Sequence, residues 1–228
     1  MVARRPAKSV SLGIRGFKSP PHRHYVDIME IVKEIIREIK NNIHPNSKDK
    51  KRHKQMIDSY FPGGKSYGAR NPEVRKIAKT YLKELKKDKN KLLKVSKDLW
   101  KDGNIEPRII ASIFVGSVID DKKAQKPVKT WVPSLDNWAN ADLLMGETKI
   151  YWIDNPKETL AYSKKLIKSK NLWDRRFGLI ILIFPVRRGK ISKTQALEIA
   201  NQLKDDKEKY VKKGYIWLIN QINKYHKY

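Results

Sequence analysis

From Tyr25 onward nearly every segment of this 228-residue chain spaces its apolar residues at the 3.6-residue period of an α-helix, and no stretch alternates for long at the period of two that a strand requires. A sheet-based fold is excluded. Ile28, Ile31, Val32, Ile35, Ile36 and Ile39 form one stripe with Lys33, Glu34, Arg37 and Lys40 opposite, the mark of a surface helix with one buried face. The same spacing predicts helices over 50–60, 71–87, 91–101, 105–119, 136–151, 156–169, 172–188, 192–203 and 207–225. Pro62-Gly63-Gly64, Asn71-Pro72, Asp102-Gly103, Asn155-Pro156 and Gly189 punctuate them. Short helices recurring in pairs about every 35 to 45 residues imply an all-α fold of HEAT-like repeats, an α-solenoid with a concave basic cleft. Trp100, Trp138 and Trp173 lie 38 and 35 residues apart and Trp217 lies 44 further on, so the tryptophans follow the same period.

The side chains outside the apolar stripes are overwhelmingly basic. Lys and Arg number 51 against 24 Asp and Glu, a formal charge of +27 that repels itself unless a polyanion neutralises it. Nucleic acid is the partner this implies. At 39% hydrophobic the chain still holds enough apolar residues to fold. The absence of cysteine excludes thiolate catalysis, disulfides, Cys-ligated zinc and iron–sulfur clusters. Apolar runs such as 109–119 and 178–184 are far short of the roughly 20 residues a membrane helix needs. Residues 1–24 carry six Lys/Arg and no acid, without the apolar core of a signal peptide, and are expected to be a flexible basic arm. An organellar transit peptide has a similar composition. Residues 25–228 are expected to form a single helical domain.

Helical phase, at roughly 100° per residue, sorts the tryptophans and charges by face. In the last helix Val211, Tyr215, Leu218, Ile219 and Ile222 share an arc, while Trp217 projects roughly opposite beside Lys213, Asn220 and Lys224. An indole among lysines on a wet face suits stacking on bases or sugars; a cap on a neighbouring repeat or a dimer contact is the alternative. In the 136–151 helix Trp138 and Asp142 stand four apart, with Met145 and Lys149 extending the stripe. Asp142 on such a basic protein either pairs with a neighbour such as Lys149, the commoner outcome, or meets a positive charge in the ligand. In the 172–188 helix Trp173, Phe177, Ile180 and Phe184 form an apolar stripe, with Arg176 to its side and Arg175 across from it. Those arginines either hold phosphates or are simply solvated.

Other chemistry is thin. His22, His24, His44, His53 and His226 are scattered without the spacing of a metal site. Gly63-Gly64-Lys65-Ser66 superficially resembles the end of a phosphate loop, but Asp58 stands where the first glycine belongs. No nucleophile-elbow, kinase or Rossmann pattern is present.

Four segments in register carry a resemblance. Tyr67-Gly68-Ala69-Arg70-Asn71-Pro72-Glu73-Val74-Arg75-Lys76, Asn137-Trp138-Ala139-Asn140-Ala141-Asp142, Trp173-Asp174-Arg175-Arg176 and Lys212-Lys213-Gly214-Tyr215-Ile216-Trp217 resemble the AlkD-type DNA alkylation repair enzymes, over about residues 50–228. The resemblance implies a cofactor-free, metal-free DNA glycosylase of HEAT-like repeats that excises cationic N3- and N7-alkylated purines from double-stranded DNA. It also implies that the base stays in the duplex. It assigns catalysis to Asp142 and lesion or sugar contact to Trp138 and Trp217, with Tyr60 the nearest match to the family's tyrosine. It places Arg176 at the DNA backbone, where Arg175, Lys213 and Lys149 are expected to join it. Ala139 departs from the family, which often has Asp there; the chain also stops sooner after Trp217 than relatives do, which leaves one end of the cleft open. The expectation is a monomeric, cytoplasmic, nucleoid-associated protein that does not engage membranes. The rival expectation is a non-catalytic HEAT-like module that binds DNA or structured RNA by charge, and a scaffold for an acidic protein is a third.

The resemblance agrees with the poverty of acid–base residues. A cationic alkylpurine is already a good leaving group, so no general acid need protonate it. Positive charge grows on the deoxyribose as the glycosidic bond lengthens, and one fixed carboxylate in a partly dry cleft stabilises it.

Overall fold

The structure is a computed structural model describing residues 21–225, and among them no strand forms. The helices are α1 (Pro21–Asn41), α2 (Lys50–Tyr60), α3 (Asn71–Leu85), α4 (Lys89–Lys101), α5 (Ile105–Gly116), α6 (Lys122–Trp131), α7 (Trp138–Glu147), α8 (Lys149–Asp154), α9 (Pro156–Leu166), α10 (Leu172–Ile180), α11 (Ile183–Arg187), α12 (Lys193–Ala200) and α13 (Lys209–Tyr225). The fold is an all-α helical repeat. α3, α5, α7, α10 and α13 form one layer in which each packs on the next, and α4, α6, α9 and α12 lie against that layer from behind. Ile110, Phe114, Leu144, Phe177, Leu179 and Leu218, all fully buried, run through the core between the layers. At about 25 cal/mol per Å2 of apolar surface, this continuous burial is what gives repeats too short to stand alone their stability.

Four expectations need correction. The helix begins at Pro21, so residues 21–24 of the expected basic arm are helical, and residues 1–20 lie outside the described residues. Proline suits a first turn because its missing N–H would be unsatisfied there anyway. The expected 172–188 helix is broken into α10 and α11, because Pro185 offers no N–H to Ile181 and its ring crowds that carbonyl. The expected 136–151 helix is broken at Thr148, whose Oγ1 donates to the Leu144 carbonyl at 2.6 Å and accepts from Trp152 Nε1 at 3.0 Å. α6 was not expected at all: Pro127 looks like a breaker, yet Ala124, Val128 and Trp131 supply a buried helical stripe.

The tryptophan period is only partly a repeat. Trp138 and Trp173 both stand in the first turn of a front-layer helix. Trp100 belongs to back-layer α4 and stacks on Trp131 at 4.5 Å, whereas Trp217 lies midway along α13.

The segment between α2 and α3 is tied down by one carboxylate. Glu106, 2% exposed at the start of α5, accepts from Ser66 Oγ (2.6 Å), Gly68 N (2.7 Å), Tyr67 N (3.0 Å) and Ala69 N (3.1 Å). Four donors on one buried acid hold it ionised and fix the loop. Gly68 has φ of +96°, and a Cβ there would lie 2.4 Å from Ser47 Cβ, so only glycine fits. Much of the Tyr67–Lys76 motif is therefore the requirement of a turn.

Candidate nucleic-acid and catalytic site

α7 opens on a polar knot that sets where Trp138 points. Asn137, fully buried, caps the helix by accepting from Asn140 N at 2.9 Å. Asp136 Oδ1 gathers donors from Arg108 (2.9 Å), Asn137 (2.7 Å) and Asn140 (3.0 Å). These residues make the start of α7 rigid. Trp138 follows, stacked on Phe61 at 5.7 Å, with its Nε1 donating to the Tyr60 carbonyl. The end of α2 is thereby fastened to α7.

A cleft of about 410 Å3 opens on that junction, lined by Ser59, Tyr60, Trp138, Arg176, Lys209, Tyr210 and Lys213. It draws on α2, α7, α10 and α13, four segments that sequence order alone does not bring together. Tyr60 is 63% exposed and its ring tilts against Phe61 at 6.4 Å. Lys213 and Lys209 place their ammonium groups 5.7 and 6.0 Å from the Tyr210 ring, and neither is ion-paired among the described residues. Two free ammonium groups beside aromatic rings are a surface for phosphate and base.

Asp142 stands one turn after Trp138 and is bound by Arg176, not by Lys149. Arg176 Nη2 donates to Oδ1 at 2.7 Å and Oδ2 at 2.8 Å, Nε donates to Oδ1 at 3.2 Å, and Nη1 reaches the Tyr210 carbonyl at 2.9 Å. Arg176 is 4% exposed. Burial pushes the Asp142 carboxyl above the ordinary carboxylate range, while the charge and hydrogen bonds of Arg176 pull against that rise. The pair forms a wall between the basic cleft and a second, more apolar cavity that Asp142 and Trp138 also line.

The other expected contacts fall elsewhere. Arg175 is not solvated: it donates to Asp206 at 2.7 Å and to the carbonyls of Ser169 and Lys170 at 3.0 Å, tying the loop before α10 to the loop before α13. Lys149 lies on α8 beyond the break, with its ammonium 5.9 Å from the Phe184 ring, and Met145 is buried in the core. Trp217 is half-buried against the core and lines neither cavity, because α13 packs on α10, α11 and α12 at once and its buried arc is wider than an amphipathic stripe. The wholly wet face expected for it is thus corrected. Tyr60, Trp138, Arg176 and Lys213 converge, and Asp142 joins them through Arg176. Sequence reasoning missed Tyr210, Lys209, Phe61, Arg108 and Asp136. Only Asp136, four residues before Asn140, offered a local signal.

No group of three or more His, Cys, Asp or Glu that could hold a metal occurs among the described residues, and none of their helices is long and apolar enough to cross a membrane. A family model described as DNA alkylation repair enzyme matches residues 35–228. No curated protein and no solved structure matches the chain.

Proposed function

The chain belongs to the DNA alkylation repair enzyme family, and from that premise we propose that it is a glycosylase releasing N3- and N7-alkylated purines from double-stranded DNA. It works as a monomer, through a HEAT-like solenoid whose basic cleft receives the duplex near the nucleoid. The observation that carries the reading is Asp142: a mostly desolvated carboxylate, fixed by Arg176, one helical turn from Trp138 and beside a cleft lined by Lys209 and Lys213.

The chemistry follows from charge. The C1′–N9 or C1′–N3 arrangement of an alkylated purine already holds a positive ring, so when the glycosidic bond breaks its electron pair neutralises the base. Positive charge passes to the sugar. Asp142 faces that charge, and the indole of Trp138 adds the attraction of its ring for a cation, worth about 0.5 to 2 kcal/mol. A water adds to C1′ and surrenders its proton to Asp142 or to solvent, leaving an abasic site. A preorganised group of this kind is worth about 100- to 1,000-fold in rate.

The test is release of free N7-methylguanine or N3-methyladenine from methylated duplex DNA. Wild type frees the base, and Asp142→Asn loses release while keeping affinity for the duplex. A wild type that frees none refutes the glycosylase. One observation favours the rival reading of a DNA-binding module without chemistry: three hydrogen bonds from Arg176 already neutralise Asp142. The same assay separates the two readings, because the module binds DNA and leaves every base in place.

A further inference from the structure

Behind the Asp142–Arg176 wall lies a cavity of about 560 Å3, bounded by α2, α3, α5 and α7. Its walls are largely apolar, with Ile105 and Ile109 on one side, Leu143 on another and Met56 and Phe61 as the roof. Two features break that character. The Asp142 carboxyl and the Trp138 indole share one wall, and Arg70, exposed and free of side-chain partners among the described residues, stands at the α3 edge.

This chemistry selects an occupant. Phosphate is excluded, because the apolar walls would strip its water and Asp142 would repel it. An aliphatic chain leaves Asp142 buried against nothing. A flat heteroaromatic cation satisfies all of it: its faces lie on Ile109, Leu143 and Phe61, and its charge meets Asp142 and the indole. Arg70 is then placed for the phosphodiester that such a ring brings with it.

Building on the glycosylase reading, we propose that this cavity receives the alkylated base itself, turned out of the duplex, with Asp142 facing its sugar and Arg70 holding the adjoining phosphate. This departs from the stacked base that the family resemblance implies. A base already carrying a charge stacks and pairs less well and is the cheaper one to turn out. An undamaged, neutral purine gains nothing from Asp142, so the cavity selects by charge as well as by shape.

The experiment uses a duplex in which a 2′-fluoro-substituted 7-methylguanine nucleotide resists cleavage and a 2-aminopurine lies beside it. Turning the lesion out unstacks its neighbour, so wild type raises 2-aminopurine fluorescence at least about twofold. Ala139→Trp, which fills the cavity from α7, and Met56→Trp, which fills it from the exposed face of α2, abolish the rise. On a cleavable duplex each slows base release at least about tenfold by misplacing the reacting sugar. Both keep wild-type affinity for undamaged DNA, which shows that the fold and the cleft survive. The inference is overturned if wild type releases the base with no fluorescence rise, or if both filled variants release it at the wild-type rate. A fluorescence rise without base release from the cleavable duplex keeps the cavity and discards the glycosylase.

Discussion

Replacing Arg176 with Met keeps the length and packing of the side chain and removes its charge and four hydrogen bonds. Asp142 is left mostly buried without a counter-charge, and the Tyr210 carbonyl without its donor. Removing one partner of a buried pair costs about 3 to 5 kcal/mol; the Asp142 side chain is 24% exposed, so water recovers part of that and about 2 to 4 kcal/mol is expected. For a chain of this length that lowers Tm by about 5 to 12 °C. The pH dependence fixes the sign. The Asp142 carboxyl already titrates above its ordinary range because of burial, and losing Arg176 removes what opposes that rise. A raised folded-state pKa makes ionisation cost stability, so the Tm deficit is full at pH 7.5 and shrinks as pH falls and Asp142 becomes protonated. The acidic limb of base release moves to higher pH in the variant, while affinity for undamaged duplex changes less than about twofold, since a buried guanidinium contributes little to phosphate contact. Differential scanning calorimetry at two pH values, a pH–rate profile and a binding titration read the three quantities. Unchanged Tm together with a large loss of affinity and a shallower salt slope would show that Arg176 meets DNA and not Asp142.

Glu106→Gln places an amide N–H₂ among four donors that need an acceptor, and is expected to cost about 2 to 4 kcal/mol, measured by urea unfolding; loop 65–70 becomes the first segment to exchange its amide hydrogens. Gly116→Ala destabilises although Ala is the better helix former, because the new Cβ would lie 2.3 Å from the Glu147 carbonyl oxygen and push α5 from α7; a raised Tm would contradict the close approach. Lys209→Gln with Lys213→Gln leaves Tm unchanged and reduces the salt dependence of duplex binding, by about 0.9 in log–log slope for each lysine that meets a phosphate, as fluorescence anisotropy at several salt concentrations reads.

The apolar period from Tyr25 onward determined the all-α class and most helix positions, because which face of a helix is buried is written locally, every three or four residues. The lysine excess likewise implied a polyanion, and the Asn137–Asp142 segment marked an indole and a carboxylate one turn apart on a shared face. Local pattern misled where a non-local fact outweighed it: Pro127 sits harmlessly inside α6, Pro185 and Thr148 divide stripes that look continuous, and α13 buries Trp217 because three helices surround it. Only the tertiary structure decided that Asp142 meets Arg176, 34 residues away, and not Lys149, and that Tyr60 and Phe61 close against Trp138 across 78 and 77 positions. The reason is physical. A charged side chain chooses its partner by distance and burial in three dimensions, and the ladder that sets those distances in this protein is built from contacts between repeats, which no single repeat encodes.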